Sequence, residues 1–124
     1  MSDLQGGKNV VLTVSTINSS GLVEALRLAV GIATGKKGHK VSVIFTGDGV
    51  AHCISGARGN SAELSKAFEN FYLASRAHGV ALYLDKHCLS LRSISENSVR
   101  SEMKILEREE MLSMLSRADS HLRL

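Results

Sequence analysis

Two histidine–cysteine dipeptides, His52-Cys53 and His87-Cys88, are the residues of this chain best equipped for chemistry; each is followed by an apolar residue and a serine. Cys53 and Cys88 are the only cysteines, and a thiolate is both a strong nucleophile and a metal ligand. Two thiols and two imidazoles could surround a zinc ion tetrahedrally, but adjacent residues rarely ligate one ion together, and structural zinc motifs leave gaps between ligands. The expectation is therefore no metal and no other cofactor. A reversible Cys53–Cys88 disulfide stays open, because spacing does not show whether the sulfurs come within reach. Cys88 is the better candidate nucleophile: a thiol at a strand end, close to His87 or Arg92, is expected to have a depressed pKa. Gly47-Asp48-Gly49 is the third candidate. Asp48 can cap the segment that follows, while Gly47 and Gly49 allow backbone conformations with positive φ.

Alternating strands and helices must position these residues. Asn9–Thr16 is an apolar, β-branched run of strand length. Asn18, Ser19, Ser20 and Gly21 break it and offer helix caps. Leu22, Ala25, Leu26, Ala29, Val30 and Ala33 then recur with the period of a helix buried on one face, ended by Gly35 and Gly38. Lys40–Thr46 predicts a second strand. Residues 50–59 suggest a short helix and a loop around Gly56 and Gly59. Asn60 and Ser61 could cap a second long helix that buries Leu64, Ala67, Phe68, Phe71 and Ala74. Val80–Leu84 is nearly all apolar, as in a strand covered on both faces. The Ser-rich stretch 89–101 predicts a short helix and Met103–Leu106 a fourth strand. Glu107–Ala118 predicts a helix with Met111, Leu112 and Leu115 inward, and His121–Leu124 a last strand. Residues 1–8 are polar and expected to fray.

This βαβ pattern predicts one α/β domain over 1–124, with a mostly parallel sheet of about five strands and helices on both faces. Ligands in such folds bind beyond the carboxyl ends of the strands. The segment after Val14, Gly47–Gly49 and Asp85–Cys88 should therefore meet.

Bulk composition narrows the function classes. With 15 basic and 12 acidic residues the net charge is +3. Only Lys36, Lys37 and Lys40 cluster, which is not the basic face of a nucleic-acid binder. The chain shows no run long and apolar enough to span a bilayer and no signal-peptide pattern. Together with the low cysteine count, this points to a reducing, cytoplasmic setting. Walker A, GxGxxG, HExxH and Ser-His-Asp patterns are all absent. A small-ligand-binding module would rest on the fold alone.

The segments KNVVLTVST, ALRLAVG, GHKVSVIFTGDGV and HGVALYLDKHCLSLRSI together resemble the DsrE/DsrF-like family across almost the whole chain. The resemblance implies a three-layer Rossmann-like domain and assembly into homotrimers or hexamers. It also implies intracellular sulfur handling, in which a cysteine carries sulfur as a persulfide from a donor protein to an acceptor. In the sulfur-carrying members that cysteine lies seven residues before a loop arginine. Counting back from Arg92 reaches Asp85, while Cys88 falls where other members have a second cysteine. The resemblance thus makes Cys88 the candidate persulfide carrier, with His87, Arg92, Asp85 and Asp48 around it. The GDGV segment also resembles members that lack the cysteine and act as companion subunits.

Overall fold

A computed structural model describes residues 7–16, 18–35, 37–54 and 62–124, and for Ser19 and residues 62–65 the helical backbone only. Five strands form one sheet: β1 (Asn9–Val14), β2 (Lys40–Phe45), β3 (Ala81–Asp85), β4 (Lys104–Leu106) and β5 (Ser120–Arg123). Their order is β4-β3-β2-β1-β5, and every pairing is parallel. The chain steps from β1 through β4 in one direction, then crosses back to place β5 on the other side of β1.

Successive side chains of a strand point to opposite faces, and each face builds its own core. Val10, Leu12 and Val14 of β1, Val41, Val43 and Phe45 of β2, and Leu82 and Leu84 of β3 pack under α1 (Ser19–Ala33) and α2 (Ala62–Ala77). Val11, Ile44 and Leu106 point the other way and meet Met111 of α4 (Arg108–Arg117). The expected three-layer α/β architecture is present, with two long helices on one face and one on the other.

Local chemistry explains the boundaries. The Asn18 side chain accepts from the N–H groups of Ser20 and Gly21, so α1 starts at Ser19, earlier than the apolar period alone predicts. Leu22, Ala25, Leu26 and Ala29 are its buried stripe. In α4 the stripe is Met111, Met114, Leu115 and Ala118, spaced i, i+3, i+4 and i+7. Leu112 lies off that stripe and is 55% exposed, which corrects the expectation that it points inward. The Glu110 carboxylate accepts from the N–H of Glu107 at the helix start. The caps expected at Asn60 and Ser61, the loop around Gly56 and Gly59, the side chain of Leu64, Lys36 and residues 1–6 lie outside the described residues.

Strand β3 ends one residue later than its apolar run, at Asp85. A short helix, α3 (Lys86–Leu91), follows without a loop, because the Asp85 carboxylate accepts from the His87 N–H at 3.1 Å. A 3-10 helix, Gly47–Cys53, follows β2, and a 3-10 turn, Glu96–Ser98, precedes β4. No helix of the described residues is long and apolar enough to cross a membrane.

Candidate functional site

The geometry of the sheet selects one crevice. The segments after β1, β2 and β3 continue on the α1/α2 face, whereas the segment after β4 continues into α4 on the opposite face. Adjacent strands whose following segments diverge open a crevice at their carboxyl ends. Here those strands are β3 and β4. Asp85 ends β3, Cys88 sits in α3, and Arg108 begins α4.

These three residues are in contact. Cys88 is 6% exposed and Asp85 fully buried. The Cys88 thiol donates to Asp85 Oδ2 at 3.2 Å and its sulfur accepts from the Gly47 N–H at 3.2 Å. Arg108 Nη2 donates to the same Asp85 Oδ2 and lies 3.9 Å from Cys88 Sγ. A buried carboxylate needs such a partner, since an unpaired one would be strongly destabilising. By strand parity Asp85 points to the α4 face, which explains why its cation comes from α4.

Two glycines bring the third loop in. Gly47 has φ of +51°, and that left-handed conformation turns its N–H toward Cys88. Gly49 packs so closely on β1 that a Cβ there would lie 2.4 Å from the Val14 carbonyl oxygen. The Thr46 N–H also donates to that oxygen at 2.9 Å, anchoring the loop against the end of β1.

Asp48 does not cap the 3-10 helix, which has no side-chain cap. Its carboxylate accepts from Arg92 Nε and Nη2, at 3.2 and 2.9 Å, while Arg92 Nη1 donates to the Cys88 carbonyl oxygen at 3.2 Å. Arg92 therefore straps α3 to the Gly47–Gly49 loop through groups other than the thiol.

The electrostatics correct the expected activation of Cys88. Burial pushes its pKa above the ordinary thiol value; the Gly47 N–H opposes this, Asp85 adds to it, and Arg108 opposes it. Neither His87 nor Arg92 acts on the sulfur. The His87 side chain is exposed and Arg92 is engaged with Asp48. At neutral pH Cys88 is a thiol hydrogen-bonded to a carboxylate. Arg108, whose guanidinium lies 3.9 Å from the sulfur, belongs to no motif; only its place after β4 could have marked it.

Cys53 is fully buried at the end of the 3-10 helix, and burial pushes its pKa up strongly. Its carbonyl oxygen accepts from the Arg100 N–H at 2.8 Å. The Arg100 guanidinium stacks 5.0 Å from the Phe68 ring centroid and 4.7 Å from that of Tyr72. It also donates to both carboxylate oxygens of Glu69, at 3.2 and 2.7 Å. Cys53 thus belongs to the core on the α1/α2 face. His52 precedes it in the same 3-10 helix and is half-buried. Both cysteines are free thiols, and no three His, Cys, Asp or Glu side chains among the described residues gather as metal ligands.

The sequence profile of the DsrE/DsrF-like family matches residues 8–124. The chain belongs to the DsrE/DsrF-like family. No curated protein matches it closely. Among solved structures, the YchN protein of E. coli superposes with a TM-score of 0.76 at 20% identity, covering 95% of this chain and 99% of that one. A protein of unknown function from Methanobacterium thermoautotrophicum gives 0.75 at 8% identity over 94% and 99% of the two chains. A conserved protein of unknown function from Bacteroides thetaiotaomicron gives 0.65 at 11% identity over 94% and 95%. At these identities the neighbours share the family fold, and the chemistry of the crevice has to be read from this chain's own residues.

Proposed function

We propose that the protein handles sulfur, with Cys88 taking a sulfane sulfur from a persulfide donor and passing it to a thiol of a partner protein. The observation that carries this reading is the placement of Cys88 Sγ. It lies at the β3/β4 crevice of a DsrE/DsrF-like fold, between a backbone N–H donor and a carboxylate. Exchange of a persulfide sulfur between thiols needs no external oxidant or reductant, and burial of the sulfur favours transfer to a docked partner over loss to water. The working form is a homo-oligomer, trimer or hexamer, in the cytoplasm, in keeping with the family resemblance.

Incubation with a persulfide donor should add about 32 Da to the wild-type chain, reversibly with a reducing thiol. Cys88→Ser should show no such adduct, and Cys53→Ser should retain it. An adduct that survives in Cys88→Ser would overturn the proposal.

A second reading is a companion subunit whose role is to complete an assembly. The near-complete burial of Cys88 and its raised pKa favour it. On that reading wild type takes up no sulfur, while Cys88→Ser still assembles with its partner subunits.

A further inference from the structure

The crevice holds more than a thiol. Its three charged or protic groups form a closed set, and each reaches the other two. Cys88 S–H points to Asp85 Oδ2 at 3.2 Å, and Arg108 Nη2 binds that same oxygen while standing 3.9 Å from the sulfur. Asp85 is fully buried, so bulk water does not reach its carboxylate.

We infer that Asp85 is the proton acceptor and donor of the Cys88 reaction, with Arg108 as the positioning residue that neutralises whichever of the two carries the negative charge. The inference rests on the sulfur-handling reading for its substrate, but its proton chemistry is independent of that substrate. Attack on a low-molecular-mass persulfide, R–S–SH, forms the bond from Sγ to the outer sulfur and breaks the R–S to SH bond. The Sγ proton passes to Asp85 Oδ2. The leaving thiolate RS⁻ then recovers it, giving RSH and Cys88–S–SH. No electrons enter or leave, and the carboxylate is regenerated.

Geometry makes this economical. As the proton moves, the negative charge shifts from Oδ2 to Sγ, and Arg108 touches the first and borders the second. The net charge of the triad does not change, which matters where a moving charge has little water to solvate it. Among the described residues, the other charged side chains of α3 and its cap are committed elsewhere: Arg92 to Asp48, and Lys86 to Glu107 and Glu96. His87 is exposed on α3. Gly47 contributes only its backbone N–H. A thiol whose burial discourages ionisation gains most from a base in contact with it.

The test is a pH profile. An isolated thiol reacts through its thiolate, so its rate rises about tenfold per pH unit below its pKa. With Asp85 taking the proton, alkylation of wild-type Cys88 by iodoacetamide should instead level off to a plateau toward about pH 5, where free thiolate is too scarce to carry the reaction. Asp85→Asn should remove the plateau and restore the tenfold-per-unit slope throughout. His87→Gln should leave the plateau in place.

A wild-type profile with the ordinary thiol slope overturns the inference, and so does loss of the plateau in His87→Gln. The wild-type measurement decides the matter even if Asp85→Asn fails to fold. Uptake of sulfur from glutathione persulfide is followed in parallel. A low-pH plateau in alkylation with no sulfur uptake retains the proton path and removes the sulfur-handling reading. Uptake with an ordinary slope does the reverse.

Discussion

The Gly47 N–H donates to Cys88 Sγ at 3.2 Å, so the orientation of one peptide group in the loop after β2 is set against a thiol 41 residues away. Gly47→Ala keeps the N–H but places an L side chain at φ of +51°. The expected cost is about 1–2 kcal/mol in urea denaturation. Gly49→Ala should cost more, because its Cβ would meet the Val14 carbonyl oxygen at 2.4 Å and that oxygen belongs to the central sheet. A Gly49→Ala variant as stable as wild type would mean that the loop is not anchored on β1.

The two faces of α4 make opposite predictions. Met111 is 7% exposed and holds α4 on the sheet. Met111→Ala should lose about 2–3 kcal/mol. Leu112→Ala, one residue away, should change stability by less than about 0.5 kcal/mol. Thermal or urea unfolding of the two variants checks the pair; a large loss at Leu112 would place α4 in a different rotation.

Arg100 is a structural prediction with no counterpart in the sequence patterns. Its side chain is only 10% exposed, lies over two aromatic rings and is bound to Glu69. Glu69 is about half exposed, which softens the penalty for leaving it unpaired. Arg100→Met should cost about 2 kcal/mol. Arg100→Lys should recover little, since an ammonium cannot make the forked contact or stack in the same way. Full recovery by lysine would show that charge alone matters at this position.

Cys53 should make the protein sensitive to alkali. Its pKa in the folded chain is raised by burial above the ordinary value of 9.0. The folded state thus holds this proton more tightly than the unfolded state does. The stabilisation is fully present below pH 9 and is lost as pH rises beyond it. The wild-type Tm should fall from about pH 9 upward. Cys53→Ala should start lower, by about 1 kcal/mol of packing, and fall less steeply with pH. Parallel curves would show that the buried thiol does not couple to folding.

Most of the fold was legible because period and burial agree. Val10, Leu12 and Val14 alternate as strand residues should, and Leu22, Leu26 and Ala29 repeat as one helical face. Leu112 misled because it is a leucine beside the stripe, and type alone does not give rotation about a helix axis. The site was half legible. Sheet topology placed Gly47 and the Asp85–Cys88 segment at one edge, where they meet. Arg108 was invisible for a physical reason: it reaches Asp85 only because the segment after β4 leaves on the opposite face from the segment after β3. Arginine has no periodic signature, and that divergence exists only in three dimensions. Arg92 lies only four residues from Cys88 in sequence, which suggests a partner for the thiol, yet Asp48, from a loop 44 residues away, captures its charged end.

The pairing of β5 with β1 carries a consequence for the order of assembly. Val10 to Thr13 lie beside Ser120 to Arg123, and the Asn9 N–H is held by the Asp119 carboxylate at 2.8 Å. Strand β1 therefore waits, with one side unpaired, until β5, the last described element, has been synthesised. Contacts so distant in sequence are slow to form, and during that interval the open side of β1 is a site for mispairing with other chains.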